Sequence, residues 1–217
     1  MISTKKPPIK ETVGAQYVCF NTMDSDGNWT PTFEEDVEKT ETVKKVAVKE
    51  NTSSANVYAS GKVYDQESQT NTSTIEVEVI AFPADTQAKM RGDLVDKSGL
   101  ILSGGNRPRP FFAYGKVVEL KSGKKRLDWY PKCKLTENTD ETSTREESYS
   151  EQTDTLTITA YPFNDDGDIK TAVSDGANFP EGLTEEKFFA KPILTPEDLT
   201  AATASNVAAS TSSTKGA

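Results

Sequence analysis

Thr72-Ser-Thr-Ile-Glu-Val-Glu-Val-Ile80 alternates strictly: Ile75, Val77 and Val79 fall on one side, and Thr74, Glu76 and Glu78 on the other. A period of two is the mark of a strand with one buried and one wet face, and here the wet face is acidic. Pro83-Ala-Asp85 then reads as a helix start, and Met90, Leu94 and Val95 recur at helical spacing before Gly99 ends the element. Three more strands follow. Phe111 to Leu120 and Lys125 to Tyr130 flank Lys121-Ser-Gly-Lys124, a tight hairpin with Gly123 at a positive-φ position, and Cys133 to Thr136 prolong the second strand past Pro131. Thr153 to Tyr161 alternates again, with Leu156, Ile158 and Ala160 opposed to Thr155, Thr157 and Thr159. The expected fold is mainly β with one short helix.

Outside this region the signals are weaker. Residues 1–14 hold Lys5, Lys6, Pro7 and Pro8 without periodicity and read as a flexible, extended arm. Ala15 to Phe20 is a short strand. Asn21 to Thr42 is acidic and turn-rich, a long loop anchored by Trp29 and Phe33. Val43 to Lys49 alternates, Val57 to Tyr64 reads as a hairpin or bulged strand turning at Ser60-Gly61, and Asp65 to Asn71 is a polar link. Leu100-Ile-Leu102 and Ile169 to Val173 are further short strands, and Leu183 to Phe189 is a short helical or extended segment whose Phe188 and Phe189 dock on the body. Thr200 to Ala217 is Ala, Ser and Thr with little else, too poor in apolar area to offset an ordering cost of about 1 to 2 kcal/mol per residue. The domain plan is therefore an arm at 1–14, a β domain at 15–192, and a linker with a low-complexity tail at 193–217.

The chain has no histidine, which removes Ser-His and Cys-His nucleophilic chemistry and the commonest metal ligand. Cys19 and Cys133 each lie in an apolar strand pattern, where a free thiol behaves as a small hydrophobe. Asp24-Ser-Asp-Gly-Asn28 and Asn164-Asp-Asp-Gly-Asp168 resemble pieces of calcium loops but lack the closing bidentate Glu, and turns are the simpler reading. Ser103 to Pro110 is glycine-bearing but has no Gly-Lys-Ser and no following helix, so it is not a phosphate loop. No cofactor and no catalytic residue is expected. Only 34% of residues are hydrophobic, and no apolar run approaches the roughly 20 residues of a membrane span; with no leader pattern at the start, a soluble protein is expected.

The strand-Pro-helix unit at 74 to 95, with Trp129-Tyr130 leading through an acidic, Thr-rich segment into the strand at 153 to 161, resembles the major tail tube proteins of long, non-contractile-tailed bacteriophages (siphophages) of Gram-positive hosts. The likeness spans roughly Ala15 to Pro192. It implies a β-sandwich subunit of the tail-tube fold whose inner strands join into a barrel across a hexameric ring, the rings stacking into a conduit for DNA ejection. It further implies a structural virion protein and no enzyme, placed in the tail and assembled in the host cytoplasm. The implied partners are itself, the tape measure protein and other tail proteins, with DNA in transit, unbound, and no membrane. A β-sandwich binding module, a carbohydrate- or surface-binding virion decoration, is the alternative.

Charge supplies the candidate residues. Net charge is -9, yet Arg107 to Lys134 has nine basic and two acidic residues, net +7, and Glu137 to Asp154 seven acidic and one basic, net -6. These runs are either solvated edges or complementary edges of adjoining subunits, in which case Lys124, Lys125 and Arg126 meet Glu141, Glu146 and Glu147 of a neighbour. Aromatics beside the basic run also suit nucleic acid, but an isoelectric point near 4.7 argues against a binder and suits a conduit that does not hold phosphates. The lumen candidates are the two polar faces, Thr74, Glu76 and Glu78 or Thr155, Thr157 and Thr159, with the acidic one preferred.

Overall fold

The computed structural model describes residues 7–59, 62–140, 142, 144, 152–174 and 179–204. In chain order these form β1 (Lys10–Asn21), β2 (Phe33–Thr40), β3 (Val43–Ala59), β4 (Lys62–Val79), α1 (Ala84–Arg91), β5 (Leu94–Val95), β6 (Ile101–Leu102), β7 (Phe112–Leu120), β8 (Lys125–Thr139), β9 (Asp154–Ala160), β10 (Thr171–Val173), α2 (Glu185–Phe189) and α3 (Pro196–Ala204). One antiparallel sheet runs β2-β1-β7-β8-β9-β4-β3, with β10 paired to the start of β8 and β9 to its end. Strands β5 and β6 make a separate hairpin.

The sheet bends back on itself, bringing β1 against β3. Val18, Phe20, Phe112 and Tyr114 thereby pack with Ile75, Val77, Val79, Leu156 and Ile158 in a first core, sandwiched between the two halves of the sheet. Helix α1 contributes Met90 to it. A second core lies on the outer face of β1, β7 and β8, where Tyr17, Val117, Leu127 and Trp129 are covered by Phe188 and Phe189 of α2 and by Ile193. Phe189 stacks on Tyr17 with ring centroids 3.9 Å apart, and Trp129 Nε1 donates to the Phe188 carbonyl at 3.1 Å. Gly115 permits this close approach: a Cβ there would stand 2.6 Å from Phe189 Cε1 and 3.0 Å from Trp129 Cζ3.

Five segments differ from the sequence expectations, the first being the arm expected at 1–14, since β1 already begins at Lys10, paired with Leu120. The acidic loop expected at Asn21 to Thr42 contains β2, which pairs with β1 from Phe33↔Asn21 to Thr40↔Gln16. Only Phe33 and Val37 turn toward the second core, too few to produce an apolar alternation, and charged side chains suit an edge strand. The expected polar link Asp65 to Asn71 is strand, because β3 and β4 stay paired from Val43↔Val79 to Ala59↔Lys62. Asn51 Nδ2 bridges the Thr72 and Thr74 hydroxyls at 3.1 and 2.9 Å, and Asn71 Nδ2 reaches Ser53 Oγ at 2.7 Å. The turn at residues 60–61 lies outside the described residues.

The helix expected to reach Gly99 stops at Gly92, whose φ of 75° lets the Asp93 amide return to the Ala88 carbonyl at 2.9 Å. Leu94 and Val95 are consequently strand, and Gly99 sits in the turn after them. Helix α2 falls in the segment read as helical or extended, and α3 is a helix the sequence reading did not include. In α2 the Thr184 hydroxyl accepts from the Lys187 amide at 3.3 Å. In α3, which extends to Ala204 within the Ala/Ser/Thr-rich stretch, Asp198 accepts from the Thr195 amide at 2.9 Å while Thr195 Oγ1 accepts from the Asp198 amide at 3.2 Å. Lys187 Nζ donates to the Thr203 carbonyl at 3.0 Å and ties the two helices together.

Gly115→Ala should cost about 1 to 3 kcal/mol in urea unfolding, the usual range for overpacking a filled site. In a Phe189→Leu background, where the clashing ring edge is gone, the same change should cost less. An equal cost in both backgrounds would show that Phe189 is not what limits the site.

Candidate assembly surface

The two polar rows treated as alternative lumen faces are one surface. Strands β4 and β9 are hydrogen-bonded neighbours in the register Thr74↔Thr159, Glu76↔Thr157, Glu78↔Thr155, and directly opposed residues share a face. The intervening Ile75, Val77, Leu156 and Ile158 go to the first core. The surface continues onto β3, where Lys45 opposes Glu78 and Lys49 opposes Thr74, and onto β8, where Lys134 opposes Thr159 and Glu137 opposes Thr157. Thr136, at the register shift in β8, joins its hydroxyl to that of Thr159 at 2.5 Å. Glu76, Glu78 and Glu137 thus share this face with Lys45, Lys49 and Lys134, and Lys44 Nζ reaches Glu78 Oε1 at 3.6 Å. The face is polar and of mixed sign, where the β4 sequence by itself reads as acidic.

The basic run disperses because successive strand residues point to opposite sides. Lys125 Nζ lies 2.6 Å from Glu185 Oε2 and 3.8 Å from Glu119 Oε1. Arg126 donates from Nη2 to Asp128 Oδ2 at 2.9 Å. Lys124 stands in the β7–β8 turn on the rim of a cavity of about 320 Å³. Arg109 Nη1 donates to the carbonyls of Leu135 and Thr136, 2.6 Å each. Lys132 and Lys134 lie over rings, 5.2 Å from the Trp29 centroid and 4.0 Å from that of Phe111. Lys125 and Arg126 are therefore matched within their own chain. Glu141, Glu146 and Glu147 lie outside the described residues.

Lys116 is not at an edge at all. It pairs across the sheet with Gln16 on β1 and Asp128 on β8, and all three are buried beside Tyr114 and Tyr130. Lys116 Nζ is 3.7 Å from Asp128 Oδ2, which also receives Arg126, while Asp128 Oδ1 and Gln16 Nε2 have no hydrogen-bond partner among the described residues. Burial pushes the ammonium pKa down to about 8, with Asp128 opposing the shift. Its flanking residues Gly115, Val117 and Val118 carry the only sequence signal of this burial: a lone charge within an apolar strand. The thiols occupy opposite faces of the sheet, Cys133 in the first core and Cys19 in the second. Burial raises both, Cys19 to about 12 and Cys133 beyond that, so neither is a reactive thiolate. The two Asp/Asn-rich segments form turns: Asp24 Oδ1 accepts from the amides of Asp26 and Asn28 at 3.0 and 2.8 Å, and Asn164 Oδ1 from that of Asp168 at 2.8 Å. Among the described residues, no group of three or more Cys, Asp or Glu could hold a metal ion.

Among the described residues the fold presents a polar sheet face, outer edges of β2 and β3 that pair with no further strand, and a long β3–β4 ribbon, a set of surfaces suited to assembly. A family model described as phage tail tube protein matches residues 32–190, from the start of β2 to the end of α2. The chain belongs to that family. It is accordingly a structural tail protein of the virion and not one of a family of enzymes. A chain from the cryo-EM structure of the anti-feeding prophage (AFP) baseplate, 6-fold symmetrised, is similar at 8% identity and a TM-score of 0.37, covering 80% of this chain and 98% of that one. No curated protein matches the sequence. In this tail tube protein β1 lies outside the matched span yet sits in mid-sheet between β2 and β7.

The buried lysine has a measurable consequence. Its folded pKa near 8 lies below the unfolded lysine value, so the burden of a buried charge is fully present below pH 8. It lifts as pH rises from 8 toward the unfolded value, since the folded state then releases the proton first. Lys116→Met removes this dependence and leaves both thiols in place, so their titration cancels in the comparison. Wild type should gain roughly 1 kcal/mol relative to Lys116→Met between pH 8 and pH 9, read from urea midpoints. A constant difference would mean that Lys116 titrates as if in water.

Proposed function

We propose that this tail tube protein assembles into hexameric rings that stack into a tail tube, with the face shared by Thr74, Glu76, Glu78, Thr155, Thr157 and Thr159 lining the DNA conduit. The observation that carries the reading is the contiguity of that face across β3, β4, β9 and β8, polar and outside the first core. A wall for passing DNA must not hold phosphates, and a surface that interleaves carboxylates with its lysines weakens any such hold. Strands β2 and β3 end the sheet order, and open edges are satisfied when neighbouring subunits pair strands and close a barrel.

In this reading the tube belongs to a long, non-contractile tail, assembles in the host cytoplasm, and encloses the tape measure protein before DNA transit. The chain acts by shape and self-association and carries no catalytic role. Of the edge charges, Lys124, Lys125 and Arg126 steer the approach of a neighbour's Glu141, Glu146 and Glu147 and add little affinity, since Lys125 and Arg126 already have partners within the chain.

Negative-stain microscopy of the purified protein should show rings or tubes; dispersed monomers that bind glycans would favour the decoration module instead. In phage carrying Glu76→Lys with Glu78→Lys, tubes should persist while DNA ejection slows at low salt. The defect should shrink as the Debye length falls from about 30 Å at 0.01 M to about 8 Å at 0.15 M. Normal ejection through intact tubes at low salt would place those carboxylates away from the lumen.

A further inference from the structure

The β5–β6 hairpin is an apolar knob. Of the seven large hydrophobic side chains that stand exposed among the described residues, Leu94, Val95, Leu100 and Leu102 belong to this one hairpin, at 48 to 57% exposure. Its strands are two residues each, paired Leu94↔Leu102 and Val95↔Ile101, and so small a ribbon has no core of its own. The body nevertheless holds its base firmly. Asp93 Oδ2 accepts from Arg91 Nε at 2.8 Å and from Ser103 Oγ at 2.7 Å, and Arg107 Nη1 donates to the Leu102 carbonyl at 2.9 Å. The tip is closed by the Asp96 amide on the Leu100 carbonyl at 2.8 Å. A concentrated, rigidly presented apolar patch of this kind marks a contact surface.

A matching hollow exists on the same chain. The cavity of about 320 Å³ between the β7–β8 turn and α2 is walled by Leu127, Phe179 and Leu183, with Lys124, Lys125 and Glu185 around it. The hairpin tip carries Asp96 and Lys97, so charges of both signs face charges of both signs. Knob and hollow lie at opposite ends of β8. The hollow is beside Leu127, whereas the loop following the hairpin is fixed by Arg109 to Leu135 and Thr136, and α1 before it by Gln87 to Asn138 at 2.9 Å. Eight residues of strand separate Leu127 from Leu135, roughly 25 Å at about 3.3 Å per residue. One chain cannot fill its own hollow.

We propose that the β5–β6 hairpin of one copy seats its aliphatic side chains in the Leu127–Phe179–Leu183 hollow of the next copy along the tube. The contact is heterologous, with a different surface on each side, and its translation runs along β8, so it repeats without closing and produces an open stack. It rests on the tube reading and specifies the surfaces that join successive copies.

The test uses Leu100→Cys and Lys124→Cys, one on the knob and one on the rim; the native thiols are buried and stay out of the reaction. Under mild oxidation the double variant should give a ladder of covalent multimers. The two single variants mixed in equal amounts should give a heterodimer and no ladder. Separately, Leu100→Glu with Leu102→Glu, both at exposed positions, should raise the concentration at which polymer appears by at least tenfold with an unchanged circular dichroism spectrum. If wild type polymerises but the double cysteine variant gives no ladder, or the double glutamate variant polymerises at the wild-type concentration, this contact is wrong and the tube reading stands. If wild type forms no polymer at any concentration, both are overturned.

Discussion

Strands β7 and β8 are buried on both faces, and the rest of the molecule is arranged around that constraint. Along β7, Phe112, Tyr114 and Lys116 enter the first core while Ala113, Gly115 and Val117 face the second; along β8, Asp128 and Tyr130 oppose Leu127 and Trp129. A register slip of one residue would exchange every one of these environments, sending Lys116 under Phe189 and Val117 into the polar cluster. The pairing of this hairpin thus fixes where α2 can dock and which half of the sheet can fold over the first core. Past Pro131 the outer residues of β8 change character to Lys132, Lys134, Thr136 and Glu137. The same geometric side of the sheet is therefore covered by helices at one end and left polar at the other.

How much of this could be read from residues alone follows from where burial creates a pattern. The later half of β4, the β7–β8 hairpin with Gly123 at φ 78°, and β9 were legible because each has a dry side. Strand β2 and the middle of the β3–β4 ribbon, Glu50 to Asn56 with Asp65 to Asn71, were not, since alternation reports a buried face and neither stretch has an apolar one of useful length. The end of α1 was misplaced because Leu94 and Val95 continue a helical spacing by chance; Gly92, in a left-handed conformation, outweighs it. Among the candidate site residues, the two polar rows were visible, but their adjacency was not, since it depends on β4 and β9 pairing across about 80 intervening residues, a long-range contact with no local trace.

The same argument applies to charge. A count along Arg107 to Lys134 describes a basic edge, but a hairpin distributes its residues over two faces and an interior. Lys116 meets Asp128, Lys125 meets Glu185, Arg126 meets Asp128, and Lys134 faces Phe111 and the Thr159 row. What remains of a strongly biased segment is a surface of mixed sign, which lowers long-range attraction for polyanions and leaves short-range pairing to set specificity. Net charge per segment is thus a poor guide in a β protein, where the relevant neighbours are those across the ladder.

The position of β1 has a consequence for the timing of synthesis. It pairs Val18 with Tyr114 and Phe20 with Phe112, although β7 is made roughly 95 residues after it. At about 5 to 20 residues per second, β1 emerges several seconds or more before its partner strand exists, with Val18 and Phe20 unsheltered in the interval. Among the described residues β2 pairs with β1 alone, so its place in the sheet depends on the strand that β7 later secures. In the tube proposed above, the β2 edge thus becomes available later than the β3 edge, whose partner β4 follows it directly in the chain.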